Sequence, residues 1–333
     1  MIRRTRQLIF VGWLFLLLAG CAYPAVDSAA LPPTPTPRPS PTATPTATPT
    51  PAPTATPTPT PTPFVCTERR GRDVEGAFHS EAMDEEVHYI IHLPPCYDAY
   101  PDRAFPVLYL LHGWPMDETH WLSLGITRIA DEWVSEGLCG PFIIVMPGVV
   151  DPNGLYINSS GGDASFEGMI VHEMVPLVDL HYRAWRDPQG RAIGGISRGG
   201  VWALEIGLRN PDLFGIVGGH SAALALNHPL PQYDPFLLAE SAPADQRLYL
   251  DAGDADWARA ATIRFRDHLE ELGRDVTYQV HHGAHLDETW QLALPDYLRF
   301  YTATWPRSAE ELPRWIADPE DQWLHGEESA PAP

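Results

Sequence analysis

Lysine is absent. All 22 basic residues of this 333-residue chain are arginine, set against 43 acidic residues for a formal net charge of −21. So acidic a chain has no arginine-rich helix and no interleaving of basic and aromatic residues. It lacks the cationic face that phosphate neutralisation needs, which excludes nucleic acid as a partner. A chain without lysine also cannot carry a Walker A loop, and no Gly-x-Gly-x-x-Gly fingerprint occurs in it. Cysteine is sparse, with four residues at positions 21, 66, 96 and 139, and their spacing matches no zinc pattern. There is no internal repeat, and no apolar run is long enough to cross a bilayer as a helix.

The N-terminus reads as an address. Arg3, Arg4 and Arg6 form a positive segment ahead of a 12-residue apolar run, Leu8 to Ala19, the proportions of a secretory signal. The run ends in Leu18-Ala19-Gly20-Cys21, which resembles the lipobox of bacterial lipoproteins. The resemblance implies cleavage before Cys21, lipidation of its sulfur and an extracytoplasmic, membrane-anchored protein; an ordinary secretory signal is the alternative. Residues 21–63 follow as a spacer, with 15 prolines between Pro24 and Pro63 and threonine supplying most of the rest. Proline fixes φ and removes backbone donors, so this stretch is expected to be an extended tether, up to about 120 Å at polyproline rise.

Beyond the tether lie residues 64–305, about the size of one ordinary domain, and an acidic, proline-bearing tail, 306–333. Outside the cytoplasm Cys66 and Cys96 are candidates for a disulfide, although sequence alone does not fix connectivity. Cys139, next to the apolar run Phe142 to Met146, reads as a packed free thiol.

Short apolar runs alternate with longer helical patterns. Strands are expected at Val87–Leu93, Val107–Leu111, Phe142–Met146, Arg191–Ile196, Phe214–Gly218, Arg247–Asp251 and Val276–His281. Helices are expected at Phe166–His181 (despite Pro176), Gly199–Leu208, Trp257–Leu272 and Trp290–Thr302. Such alternation implies an α/β fold with a mainly parallel sheet covered by helices on both faces.

Gly195-Ile196-Ser197-Arg198-Gly199 is a Gly-x-Ser-x-Gly match, a weak signal alone. Its context strengthens it: an apolar strand runs into it and a helical pattern leaves it, as a nucleophile elbow requires. A serine hydroxyl needs a base to take its proton and an acid to orient that base. After the strand ending Leu248-Tyr249-Leu250 come Asp251, Asp254 and Asp256; after the strand ending at Val280 come His281, His282 and His285. Serine, acid, histidine is the chain order of α/β-hydrolases.

These residues, with Leu93-Pro94-Pro95-Cys96-Tyr97, Pro106-Val107-Leu108-Tyr109-Leu110-Leu111-His112-Gly113 and Leu250-Asp251-Ala252-Gly253, resemble the esterase family of α/β-hydrolases over Gly76 to Thr302. The family includes esterase D, S-formylglutathione hydrolases, feruloyl, acetylxylan and enterochelin esterases, and mycolyltransferases. The resemblance implies the α/β-hydrolase fold, a triad of Ser197, Asp256 and His285, and oxyanion-hole amides from Arg198 and Trp114. Residue chemistry alone leaves Asp254 and Asp251 open as the acid. Crowding of three carboxylates is expected to leave one buried and two turned to solvent. His112 precedes the serine and reads as a buttress of its loop rather than a base.

Trp114, Trp121, Tyr156, Trp202 and Trp290 are candidates for a substrate wall, with core packing the alternative for each. His220 is expected either to line the site or to pack. The implied activity is hydrolysis of carboxylic esters of a small molecule or a carbohydrate, with no cofactor or metal and no membrane contact beyond the lipid anchor. Acyl transfer of the mycolyltransferase type, siderophore hydrolysis and a non-catalytic tethered binding module are the rivals.

Overall fold

The computed structural model describes residues 66–149 and 162–316. The signal segment, Cys21, the tether, Tyr156 and the end of the tail lie outside the described residues.

Among the described residues, eight strands form one sheet in the order β1-β2-β4-β3-β5-β6-β7-β8. They are β1 (Arg72–Ser80), β2 (Glu85–Leu93), β3 (Val107–Leu111), β4 (Ile143–Pro147), β5 (Arg191–Ile196), β6 (Ile216–His220), β7 (Arg247–Gly253) and β8 (Val276–His281). β1 pairs antiparallel with β2, and β2 antiparallel with β4; every other pairing is parallel. This is the α/β-hydrolase sheet that the resemblance implied.

The central strands β3 to β6 are buried along their whole length, as their unbroken apolar runs require. Alternation along β3 divides the core. Val107, Tyr109 and Leu111 join the helices Arg198–Arg209 and Arg259–Glu271 on one face; Leu108 and Leu110 join Ile126–Ser135 and Asp287–Thr302 on the other.

Three expectations are corrected. The helical stretch from Phe166 to His181 is not one regular helix: a π-helical segment, Met169–Met174, precedes the helix Val175–His181. Pro176 cannot donate to the turn before it, and a widened turn accommodates that loss. β7 runs two residues beyond Asp251, to Gly253. β1 is an additional edge strand, half exposed, where polar residues left no apolar pattern to read.

The disulfide Cys66–Cys96 is formed, and Cys139 is a buried free thiol. The first part of the tail packs on the domain: Ala309 and Leu312 enter the core, and the Trp315 N–H donates to Asp102 O at 2.9 Å. No helix among the described residues is long and apolar enough to cross a membrane.

Candidate active site

Ser197 occupies the tight turn between β5 and the helix Arg198–Arg209, at φ 57° and ψ −112°. Serine pays a steric cost in this region, and such strain concentrates at functional sites. The flanking glycines are dictated by contact. A Cβ on Gly195 would stand 2.2 Å from Gly199 O, and one on Gly199 2.4 Å from His112 O. Backbone bonds lock the turn: Ser197 N–H donates to His220 O at 2.9 Å, and Ala223 N–H to Ser197 O at 2.9 Å.

β7 and β8 lie side by side, and the loops that leave them are stitched together. Asp254 N–H donates to His281 O at 2.8 Å, and Ala255 N–H to Gly283 O at 2.9 Å. The stitching brings Asp256 to His285, whose Nδ1 is 2.9 and 3.1 Å from the two carboxylate oxygens. On its other side His285 Nε2 is 2.8 Å from Ser197 Oγ. Burial works against the charge on Asp256, but bonds from His285 and the Ala258 N–H hold its carboxyl below the usual carboxylate range. Ionised Asp256 accepts the Nδ1 proton, which leaves Nε2 as an acceptor for the serine proton.

The other two aspartates divide differently from expectation. Asp254 is surface-facing and pairs with exposed His282 at 2.9 Å and with the Gly283 N–H at 3.0 Å. Asp251 is buried, not turned to solvent, because β7 continues past it. It accepts from Tyr297 Oη at 2.7 Å and from the Ser221 N–H at 3.1 Å, and lies 3.1 Å from His281 Nε2. His220 is fully buried and packs, with Nε2 2.8 Å from Tyr301 Oη. His112 donates from Nδ1 to Gly113 O at 2.9 Å, and burial lowers its pKa to about 4, which keeps it a neutral buttress.

The loop after β3 borders Ser197: a Cβ on Gly113 would lie 3.4 Å from Ser197 Cβ. Trp114 follows, joined to Pro115 by a cis peptide bond, and is half exposed beside a cleft of two lobes. Ser197, His285 and Trp114 border both. The larger lobe, about 370 Å³, adds Met116, His120, Leu286, Glu288 and Trp290. The smaller, about 210 Å³, adds Arg198, Ala223, Leu226 and Trp257.

Two of the wall candidates are therefore core. Trp121 is buried beneath the cleft with its Nε1–H on Leu111 O at 3.0 Å. Trp202 is buried against Phe166, ring centroids 4.3 Å apart. Both sit on faces that helix packing turns inward. Trp290 does border the cleft, edge-on to His285 at 5.1 Å. Sequence reading missed Trp257, half exposed and lying over the His285 ring at 4.4 Å; its place directly after Asp256 was the available signal.

A larger cavity, about 680 Å³, lies at the Cys66–Cys96 bridge and shares no residue with this cleft. It offers no comparable chemistry. Burial pushes the Cys139 thiol up to about 12, and the grouping Cys66, Glu68 and Cys96 has no free thiolate for a metal because its sulfurs are bonded.

A family model described as "Putative esterase" matches residues 80–301. An endo-1,4-β-xylanase/feruloyl esterase of Xylanibacter ruminicola is 36% identical over 119 residues, 35% of this chain and 16% of that one. An esterase of Mycobacterium tuberculosis is 29% identical over 126 residues, 37% of this chain and 26% of that one. The aligned stretches span only 16% to 54% of the length of the curated relatives. Among solved structures, a ferulic acid esterase superposes with a TM-score of 0.64 at 23% identity, covering 71% of this chain and 99% of that one. An S-formylglutathione hydrolase of Staphylococcus aureus gives 0.59 at 18% identity, covering 70% and 99%. At these identities the superpositions establish the fold.

Proposed function

Because this chain belongs to the esterase family of α/β-hydrolases, we propose that it is a serine hydrolase of carboxylic esters, with Ser197 as nucleophile, His285 as general base and acid, and Asp256 as the orienting acid. The observation that carries the reading is the unbroken chain of short contacts from Asp256 through His285 to Ser197, opening on a cleft.

In this reading Ser197 Oγ attacks the ester carbonyl carbon while His285 Nε2 takes its proton. The carbonyl oxygen becomes an oxyanion held by the backbone N–H groups of Arg198 and Trp114, donors already aimed when charge develops. The intermediate collapses as His285 returns the proton to the leaving alcohol, and an acyl-enzyme remains. A water then attacks the acyl carbon, gives its proton to His285, and the acid departs as Ser197 is reprotonated. This chemistry asks nothing of a metal or organic cofactor.

The cleft walls suit a substrate with an apolar or aromatic part. Trp114 and Trp257 present half-exposed indoles to the smaller lobe, with Leu226 and Ala223 beside them. Together with the feruloyl esterase activity named for two relatives, this supports aromatic acyl esters of carbohydrates as the substrate class. Lipidation at Cys21 and the proline-rich tether would hold the domain outside the cytoplasm and clear of the membrane. Hydrolysis of methyl ferulate and of aryl acetates by the purified protein, abolished in Ser197→Ala, tests the activity. Departure of Cys21→Ser from the membrane fraction tests the anchor.

A further inference from the structure

The two lobes of the cleft differ in chemistry. The smaller is walled by indoles and aliphatic side chains and carries Arg198. The larger has no arginine among its described lining residues and carries two carboxylates instead, Asp287 and Glu288. Both stand in the first turn of the helix Asp287–Thr302, an end that favours negative charge.

Asp287 is held in place. His120, buried beside the lobe, puts Nε2 3.1 Å from Asp287 Oδ1. An ionised carboxylate only accepts, so the Nε2–H is the donor. His120 is itself fixed: its backbone N–H donates to Asp117 O at 3.1 Å, and its ring meets Trp290 edge-on at 6.0 Å. Contact with Trp290 asks only for a ring, which phenylalanine would supply. What the imidazole adds is the bond to Asp287, because its Nδ1 is buried with no partner among the described residues. The other Asp287 oxygen, Oδ2, accepts no bond among the described residues, and the side chain is 43% exposed. The lobe therefore sets an oriented acceptor beside the indoles of Trp114 and Trp290. That combination suits a polyhydroxy compound, whose O–H groups donate and whose C–H face packs on aromatic rings.

We propose that the larger lobe is the leaving-group subsite and takes an uncharged polyhydroxy alcohol, with Asp287, aimed by His120, accepting hydrogen bonds from its hydroxyls. The inference rests on the serine-hydrolase reading above and assigns the acyl group to the smaller lobe. The chemical step is unaltered: the acyl C–O bond breaks, its electron pair stays on the alcohol oxygen, and the proton comes from His285 Nε2. Selection acts on the alcohol. A hydroxyl-bearing alcohol gains a bond that a bare alkyl alcohol cannot make. An anionic alcohol brings like charge beside Asp287 and Glu288, with no arginine in the lobe to offset it.

The test holds the acyl group constant and varies the alcohol, using the feruloyl esters of methanol, glycerol and glyceric acid. Glycerol and glycerate are similar in size and differ by one charge. Wild type is expected to favour the glycerol ester over the methyl ester about 10-fold in kcat/KM, and over the glycerate ester by a similar factor. Raising ionic strength from about 10 mM to about 1 M should shrink the second ratio and spare the first. In Asp287→Ala both ratios should fall toward unity. Asp287→Asn keeps an acceptor oxygen without the charge, so discrimination against glycerate should fall further than the preference for glycerol. His120→Phe keeps the ring against Trp290 but frees the carboxylate, and should lower the glycerol preference by less than Asp287→Ala does. Ratios between substrates cancel a general loss of folded or active enzyme. Equal kcat/KM for the three esters in wild type would overturn the inference without any variant, and so would both ratios surviving in Asp287→Ala. Fluorophosphonate labelling separates this from the parent reading. If Ser197 is labelled but the ratios are near unity, or none of the esters is turned over, the role of the larger lobe falls and the hydrolase stands. If wild type is not labelled, the hydrolase reading falls with it.

Discussion

His285 Nε2 and Ser197 Oγ, 88 residues apart in the chain, stand 2.8 Å from each other. They meet because β5 and β8 end on the same edge of a parallel sheet, where crevices form beyond the carboxyl ends of the strands. The same edge delivers Asp256 from β7, so three separate strand ends contribute one hydrogen-bonded line.

Asp256 and Asp254 are two residues apart and should behave oppositely. Asp256→Asn is expected to lower kcat on the order of 10²–10⁴-fold, because an amide no longer stabilises the imidazolium and favours the wrong tautomer. Asp254→Asn loses a pairing with exposed His282 and weakens one contact to the Gly283 N–H. Its kcat should stay within a few-fold of wild type. Steady-state kinetics of the two variants side by side check this, and the reverse ranking would place the acid two residues earlier.

Trp257 lies over His285 and walls the smaller lobe. Trp257→Ala should reduce kcat/KM for an aromatic acyl ester by about 5-fold, corresponding to loss of a ring contact worth about 1 kcal/mol. A short alkyl ester should be affected less. With half of its surface exposed, the indole contributes little to the core, so the unfolding midpoint should hardly move.

The Asp251 cluster makes the fold acid-sensitive in a defined window. Burial alone would raise the Asp251 pKa, but the nearby His220 ring and the contacts with His281 and Tyr297 bring it down from 3.8 to about 2. Stability from this group is complete above its unfolded value and is lost as pH falls from about 4 toward about 2, on the order of 2 kcal/mol. Burial tends to lower the His281 pKa, yet the bond to Asp251 and the charge of Asp296 prevail and raise it above 6.5. His281 therefore stabilises the fold below pH 6.5 and loses that contribution as pH rises through its raised value. Urea unfolding across pH 2–8 should show both slopes, and Asp251→Asn should flatten them.

Cys66–Cys96 closes a loop with a sequence separation of 30 residues at a cavity remote in composition from the cleft. Reduction should cost about 3 kcal/mol of stability, chiefly through the freed unfolded chain. Esterase activity at 25 °C should persist. Thermal melts and kinetics with and without reductant check the two halves of this statement.

Much of this site is legible in the sequence for physical reasons. The elbow announces itself because only glycine tolerates the 2.2–2.4 Å approaches at positions 195 and 199. The buried parallel strands do so because burial on both faces demands unbroken apolar runs. What escaped reading depends on neighbours distant in sequence. Trp121 and Trp202 are indistinguishable from wall tryptophans until helix packing turns them inward, and Trp257 is indistinguishable from a surface residue until the β7 and β8 loops are stitched together. Asp251 reads as a loop carboxylate until its strand is seen to continue to Gly253. β1 is hidden because an edge strand exposed on one side can be built from Arg72, Asp73 and Glu75.

The most direct test of the account is covalent: incubation with a fluorophosphonate, proteolysis, and mass spectrometry of the peptide containing Ser197. One stoichiometric adduct on Ser197 is expected together with loss of ester hydrolysis, and neither labelling nor activity above about 10⁻³ of wild type in Ser197→Ala. An unlabelled Ser197 in folded protein, or full activity in the alanine variant, would contradict it.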